Sequence, residues 1–149
     1  MSDFRPLVSV NETISASPSE VWDTAIHKTG VMFMGADVKT DWLEGHPITF
    51  TGEWKGKRFK DKGRVEVVDE ETRLAFTHFS PASGKPDSPV SYNLVSIDLH
   101  PKGVATDVKL TQSIHCEAQE PNAETVAEFE KNWQMMLGKL KDAAEGAAG

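Results

Sequence analysis

Six consecutive strand-like segments constrain the fold of this chain more than any other feature of its sequence. Between residues 36 and 115, apolar and polar residues alternate with a period of two, as in strands that bury one face. The segments lie at 36–42, 48–54, 58–68, 73–80, 92–99 and 104–115. Short turns such as "WKGKR", "DEET" and "HPKG" separate several of them, which is typical of antiparallel hairpins. The pattern therefore predicts one antiparallel sheet.

Helical signals flank this run of strands. A first strand at 7–14 precedes "SASPSEVWDTAI", in which Ser17 and Glu20 form a capping-box pattern with proline at the first helical position. A second small helix is expected within 28–35. The segment after Pro121 spaces its apolar residues by three and four, which predicts one long amphipathic helix. The residues of this apolar stripe are Val126, Phe129, Trp133, Met136, Leu137 and Leu140.

The order of elements predicts an α+β fold. A curved antiparallel sheet of six to seven strands wraps around the long C-terminal helix, with two short helices after the first strand. The length suits a single domain over residues 1–149. A helix that crosses a strongly curved sheet leaves part of the concave side unfilled, so a cavity is expected between sheet and helix.

Charge and composition argue against several classes of function. The net charge of −7 opposes binding to nucleic acid or to an anionic membrane surface. No apolar run approaches the roughly 20 residues of a membrane span, and no signal-peptide pattern opens the chain. We therefore expect a cytoplasmic protein that is a monomer or homodimer. The histidines show no metal-ligand spacing and no nucleotide-binding motif occurs, so neither a metal nor a cofactor is expected.

Strand register brings two ionisable side chains together on the buried face. If "DEET" closes a tight hairpin, Val68 pairs with Arg73 and Gly63 lies opposite His78. Asp61 then becomes the diagonal neighbour of His78. A histidine that is held by a carboxylate in an apolar pocket can act as a general base.

Four polar residues lie toward one end of an otherwise apolar concave face: Asp61, His78, Asn93 and Gln112. A buried polar group without a partner costs about 1–3 kcal/mol, so these four require mutual hydrogen bonds, water, a ligand or an open end. Three interpretations remain: a satisfied internal network or rim, ligand recognition, and general acid–base catalysis by His78 and Asp61.

Apolar surface for a ligand is expected from Trp54, Phe76, Trp133 and Met136. The loop from Pro81 to Ser91, which contains three prolines, should border the pocket entrance and be more mobile than the strands that it joins.

Several stretches resemble a known family. They are "ISASPSEVWDTAI", "DWLEGHPITFTGEW", "FTHFSPASGKPDSP", "VKLTQS" and "NWQMMLGKLK", within a resemblance that runs from about Leu7 to Leu140. The chain is similar to bacterial single-domain relatives of the activator of the ninety-kilodalton heat-shock protein's ATPase, in the START and polyketide-cyclase superfamily. This resemblance implies the helix-grip fold, which the major birch pollen allergen also has. The superfamily includes lipid carriers, hormone receptors and cyclases.

Binding of a small, largely apolar molecule between the sheet and the C-terminal helix is the leading functional hypothesis. The enzyme alternative is a cofactor-free cyclase, dehydratase or hydrolase that uses His78 and Asp61. The interaction alternative is a chaperone-associated protein-binding module.

Overall fold

The computed structural model describes residues 3–33 and 35–148, without the side chains of Met32, Trp54, Ala147 and Ala148. The strands are β1 (Phe4–Ile14), β2 (Asp37–Lys39), β3 (Pro47–Trp54), β4 (Lys57–Asp69), β5 (Arg73–His78), β6 (Asn93–Lys102) and β7 (Ala105–His115). The α-helices are α1 (Pro18–His27) and α2 (Ala123–Ala148), and short 3-10 turns occupy Thr29–Met32, Pro81–Ser83 and Pro89–Ser91.

All seven strands form one antiparallel sheet in the order β1-β7-β6-β5-β4-β3-β2. Strands that follow one another along the chain are neighbours from β2 to β7, because hairpins join them. The first strand closes the series by pairing with the last. The predicted α+β class and the curved sheet with its long C-terminal helix are confirmed. No helix in the described ranges is long and apolar enough to cross a membrane.

The start of α1 follows the sequence pattern. The Ser17 hydroxyl accepts a hydrogen bond from the Glu20 amide at 3.2 Å, and the Glu20 carboxylate accepts one from the Ser17 amide at 3.2 Å. Two of the amide groups at this helix end are thereby satisfied. Val21 and Trp22 are buried on the face that α1 turns inward, so α1 covers one end of the core.

The apolar stripe of α2 is buried only along its second half. Leu137 and Leu140 are fully buried, whereas Val126, Phe129 and Trp133 are half-buried. The amphipathic spacing predicts that all five of these side chains are largely buried against the sheet, and this prediction is wrong for the first half of the helix. The physical reason is a cleft beneath that half, which is described below.

The turn between β4 and β5 differs from the predicted one. Asp69 lies opposite Arg73 and Val68 lies opposite Leu74, so the turn is one residue shorter than expected. Glu71 adopts a left-handed conformation with φ of 64°, which lets three residues close the hairpin. The predicted pairing of Val68 with Arg73 is wrong for this reason.

A β-bulge restores the predicted register farther along the same hairpin. The extra residue lies directly after Val65, which is opposite Phe76. Continuing this register by two residues places Gly63 opposite His78, and the next residue pair along the hairpin is also bridged in this register. The error at the turn therefore does not reach Asp61.

Candidate functional site

A carboxylate and an imidazole meet on the concave face of the sheet. His78 Nε2 lies 2.9 Å from Asp61 Oδ2, within hydrogen-bond distance. Asp61 is 9% exposed, and the His78 ring packs edge-to-face against Phe50. The predicted contact between these two residues is confirmed.

The backbone opposite His78 allows this approach. A Cβ atom on Gly63 would lie 1.7 Å from the Thr77 carbonyl oxygen and 3.2 Å from the His78 amide nitrogen. Only glycine lets β4 and β5 come this close without a shift of one strand. The Arg64 amide also donates a 2.9 Å hydrogen bond to the Thr77 hydroxyl. These contacts hold the end of β5, and therefore His78, against β4.

The second oxygen of the carboxylate is unusual. Asp61 Oδ1 is buried and has no hydrogen-bond partner among the described residues. It is the only buried side-chain nitrogen or oxygen atom in the described part of the chain with this property. An unsatisfied acceptor in an apolar environment is costly, and more so when it belongs to a charged group.

Asp61 lines a small space of about 130 Å³, which we call the inner pocket. Its lining residues are Phe33, Phe50, Phe59, Asp61, His78, Trp133 and Met136. The Phe33 ring packs edge-to-face on Trp133 at 5.8 Å between ring centres. The other walls of the pocket are aromatic or apolar, so Asp61 and His78 supply its ionisable groups.

A larger space of about 320 Å³, the outer cleft, opens beside the inner pocket. His78, Trp133 and Met136 line both spaces, so they form the wall between them. Asn93 and Gln112 also line the outer cleft. The first half of α2 is half-buried because it passes over this cleft.

Gln112 fixes the position of the indole in that wall. Trp133 Nε1 donates a hydrogen bond of 2.7 Å to Gln112 Oε1. Gln112 is buried on β7, so the bond ties the helix to the sheet across the cleft. A ligand in the outer cleft would meet both the Trp133 indole and the Gln112 amide.

The loop from Pro81 to Ser91 borders the outer cleft, as predicted, through Ser83, Lys85 and Ser91. That this loop is more mobile than the strands that it joins stays a prediction.

Asp87 anchors this loop to β4 and to the residue that precedes β6. Its carboxylate forms an ion pair with Lys62 and accepts a 2.7 Å hydrogen bond from the Tyr92 hydroxyl. The Tyr92 ring stacks on Phe79 at 5.1 Å between ring centres. The hydrogen bond from Lys62, followed by that from Tyr92, lowers the pKa of Asp87. Desolvation, followed by the hydrogen bond to Asp87, raises the pKa of Tyr92.

The structure brings most of the expected site residues together. Six of them line one or both spaces: Asp61, His78, Asn93, Gln112, Trp133 and Met136. Phe76 lines neither space and is fully buried, packed against Phe33 and Phe50. The side chain of Trp54 lies outside the described residues. In the described ranges, no group of three or more histidine, cysteine, aspartate or glutamate residues could hold a metal ion.

Sequence reasoning missed Phe33 and did not assign Phe50 and Phe59 to the ligand surface. The alternation of apolar and polar residues on β3 and β4 puts Phe50 and Phe59 on the inner face of the sheet, so the sequence does carry a signal for these two residues. Phe33 follows a 3-10 turn of four residues, and a segment this short has no periodicity to show which side chain points inward.

The chain is similar to known proteins in both sequence family and fold. The profile of the family described as "Activator of Hsp90 ATPase homolog 1-like protein" matches residues 15–145. None of the curated proteins matches this sequence. The solution structure of ChR145 from Cytophaga hutchinsonii is 34% identical, with a TM-score of 0.77, and the match covers 95% of this chain and 94% of that one.

Two more distant structures share the fold. The solution structure of the Aha1 dimer from Colwellia psychrerythraea is 19% identical, covers 95% of this chain and 98% of that one, and has a TM-score of 0.67. DynU16, a protein of the dynemicin biosynthetic locus, is 18% identical with a TM-score of 0.72, over 97% of this chain and 48% of that one. Since the family profile spans most of the sequence, this chain belongs to the Activator of Hsp90 ATPase homolog 1-like family.

Proposed function

We propose that this chain binds a small, largely apolar molecule between the concave face of the sheet and α2. The observation that carries the proposal is the outer cleft of about 320 Å³ and its shared wall with the inner pocket. Small-molecule sites commonly have volumes of roughly 300–1,000 Å³ and combine apolar walls with a few polar groups. The outer cleft alone reaches the lower end of that range.

The polar groups of the cleft would orient the ligand. Gln112 uses its amide oxygen to bind Trp133, which leaves its amide nitrogen as a donor. His78 uses Nε2 to contact Asp61, and its Nδ1 has no hydrogen-bond partner among the described residues. Asn93 lies opposite His78 on the neighbouring strand. A ligand with one or two polar atoms would find partners at this end of the cleft.

Two measurements test the proposal. Native mass spectrometry of protein purified from its own host should show a retained small molecule. N-phenylnaphthylamine, a neutral dye that fluoresces in apolar surroundings, should bind the wild-type protein. Asn132→Trp should block the dye because Asn132 lines the cleft, whereas Lys139→Trp, at an exposed position of the same helix that lines neither space, should not. Equal dye binding by all three proteins would refute the proposed site.

A second candidate function is catalysis, which the hydrogen bond between Asp61 and His78 favours. A carboxylate that holds one imidazole nitrogen orients the other toward a substrate and stabilises the protonated ring. His78 also lines both spaces, so it would touch a bound molecule from either side.

Prolonged incubation separates the two functions. A host molecule recovered with the protein should keep its mass if the chain only binds it. If wild-type protein converts the molecule and His78→Asn binds it within a few-fold but leaves it unchanged, the chain is an enzyme.

A further inference from the structure

The unpartnered oxygen of Asp61 gives the inner pocket a specific chemical requirement. Asp61 Oδ2 is used by His78, whereas Oδ1 is buried without a partner in the described part of the protein. The residue is 9% exposed, so bulk water cannot freely hydrate this oxygen. Because Oδ1 accepts hydrogen bonds, a group that fills the pocket and donates a hydrogen bond to this atom would remove the cost of leaving it unpaired.

The surroundings of Asp61 favour a cation over a neutral donor. No lysine or arginine is among the described residues that line the inner pocket, and its walls include Phe33, Phe50, Phe59 and Trp133. The faces of aromatic rings attract cations. Among the described residues that line the inner pocket, His78 is the only side chain besides Asp61 that can carry a charge. A ligand that brings its own positive charge would compensate the carboxylate.

The volume of the inner pocket limits the size of this group. A dry engineered cavity of roughly 150 Å³ accommodates benzene, so about 130 Å³ holds a short alkyl or small cyclic group with one nitrogen. His78, Trp133 and Met136 separate this space from the outer cleft, so the remainder of a longer ligand would lie beyond them.

Resting on the proposed binding function, we propose that the ligand is an apolar amine, whose protonated nitrogen enters the inner pocket and donates a hydrogen bond to Asp61 Oδ1. The aromatic walls contact the carbons next to the nitrogen. The outer cleft takes the rest of the apolar body. The inner pocket thereby selects amines over alcohols and carboxylates of the same carbon skeleton.

Three small probes with one carbon skeleton test this selection: n-butylamine, n-butanol and butyrate. At neutral pH the amine is protonated, as a lysine side chain is. Binding is measured at physiological salt from the NMR shift of the Trp133 indole NH, which is assigned with Trp133→Phe. Because this NH lies in the pocket wall and donates to Gln112, its shift reports binding at the site and not attraction to the net negative surface.

Wild-type protein should bind the amine about tenfold more tightly than the alcohol, because a hydrogen bond between two charged groups is stronger than one to a neutral donor. Butyrate should not shift the signal. Asp61→Asn should reduce the preference for the amine to within about threefold, because the substitution removes the charge but keeps the shape. Asp69→Asn, the same change at an exposed position of the same strand, should leave the preference intact.

Equal affinities of wild-type protein for amine and alcohol would overturn the proposal. This comparison needs no variant, so it holds even if Asp61→Asn fails to fold. A preference for the amine that survives in a folded Asp61→Asn protein would also overturn it. N-phenylnaphthylamine binding in the outer cleft is a separate readout: if it persists while the amine preference is absent, only the present inference fails. If the dye does not bind either, the proposed function fails as well.

Discussion

The substitution Gly63→Ala should disrupt the contact between β4 and β5 where the candidate site lies. The added Cβ atom would lie 1.7 Å from the Thr77 carbonyl oxygen. The closest ordinary carbon–oxygen contacts between strands are about 3.3 Å, so the two backbones must separate by roughly 1.5 Å. The separating peptide is the one that leads into His78, so the hydrogen bond to Asp61 should lengthen or break.

The loss in the free energy of unfolding caused by Gly63→Ala can be estimated from the atoms that clash. Overpacking a well-packed core by a methyl group costs about 1–3 kcal/mol when flexible side chains absorb it. Here the clashing atoms belong to a backbone that is paired on both sides, so we expect at least the upper end of this range, about 3 kcal/mol. The loss of the bond between His78 and Asp61 would add to it.

Urea unfolding measures this difference, and Gly138→Ala is the matched control. A Cβ atom on Gly138 would meet nothing within 4 Å, and the residue lies inside α2. Alanine is favoured over glycine in helices by about 1 kcal/mol, so this variant should be more stable than wild type. A free energy of unfolding of Gly63→Ala within about 0.5 kcal/mol of wild type would contradict the expected clash, because surface substitutions ordinarily fall in that range.

Three further predictions concern the cleft wall, its loop and the first helix. Trp133→Phe should lower the free energy of unfolding by about 1 kcal/mol through loss of one hydrogen bond, as measured in urea; no change would show that water replaces the indole fully. Because the pKa of Asp87 is lowered, its contacts with Lys62 and Tyr92 stabilise the fold above the ordinary value of 3.8 and are lost as pH falls through the lowered pKa. The NMR signals of Tyr92, the single tyrosine, should therefore shift at acid pH in wild type but not in Asp87→Asn, and identical titrations would contradict this. Ser17→Ala should cost about 1 kcal/mol in thermal unfolding, since the Glu20 amide loses the Ser17 hydroxyl as its hydrogen-bond acceptor, and an unchanged melting temperature would show that water caps the helix equally well.

The arrangement of strands could be predicted because alternation and turn residues are local signals. Alternation placed Ile48 and Phe50 on the buried face of β3, and both are buried. The meeting of Asp61 and His78 could also be predicted, since it depends on register alone. Such features need no knowledge of how distant parts of the chain pack.

The β-bulge could not be predicted, for a reason visible in "RVEVV". Val65, Val67 and Val68 are all apolar. After Val65, the next inward position is therefore apolar whether the strand is regular, which places Val67 there, or contains a bulge, which places Val68 there. Regular alternation from Val65 would make Val67 face inward, but Val68 packs against the core instead. The turn is one residue shorter than expected, and the bulge takes up that extra residue. The short turn depends on Glu71, a non-glycine residue in a left-handed conformation, which no sequence pattern predicts.

Burial along α2 could not be predicted from its stripe either. The spacing of Phe129, Trp133 and Leu137 is uniform, yet the first two are half-buried and the third is fully buried. Amphipathic spacing shows which side of a helix faces the sheet. It does not show where the sheet curves away from the helix, because curvature is a property of all seven strands together.

The bulge after Val65 also affects how relatives should be aligned. Two residues of β4, Glu66 and Val67, occupy the space opposite Ala75 alone. A relative that lacks one of them could pair regularly along the whole hairpin and still keep its acid beside its histidine. In such a relative the two residues would be separated by one position fewer along the chain. If an alignment places the gap before β4, the relative's acidic residue is aligned next to Asp61 and not with it. The residue aligned with Asp61 then lies on the opposite face of the strand. The acid–histidine pair would seem to be missing from a protein that has it.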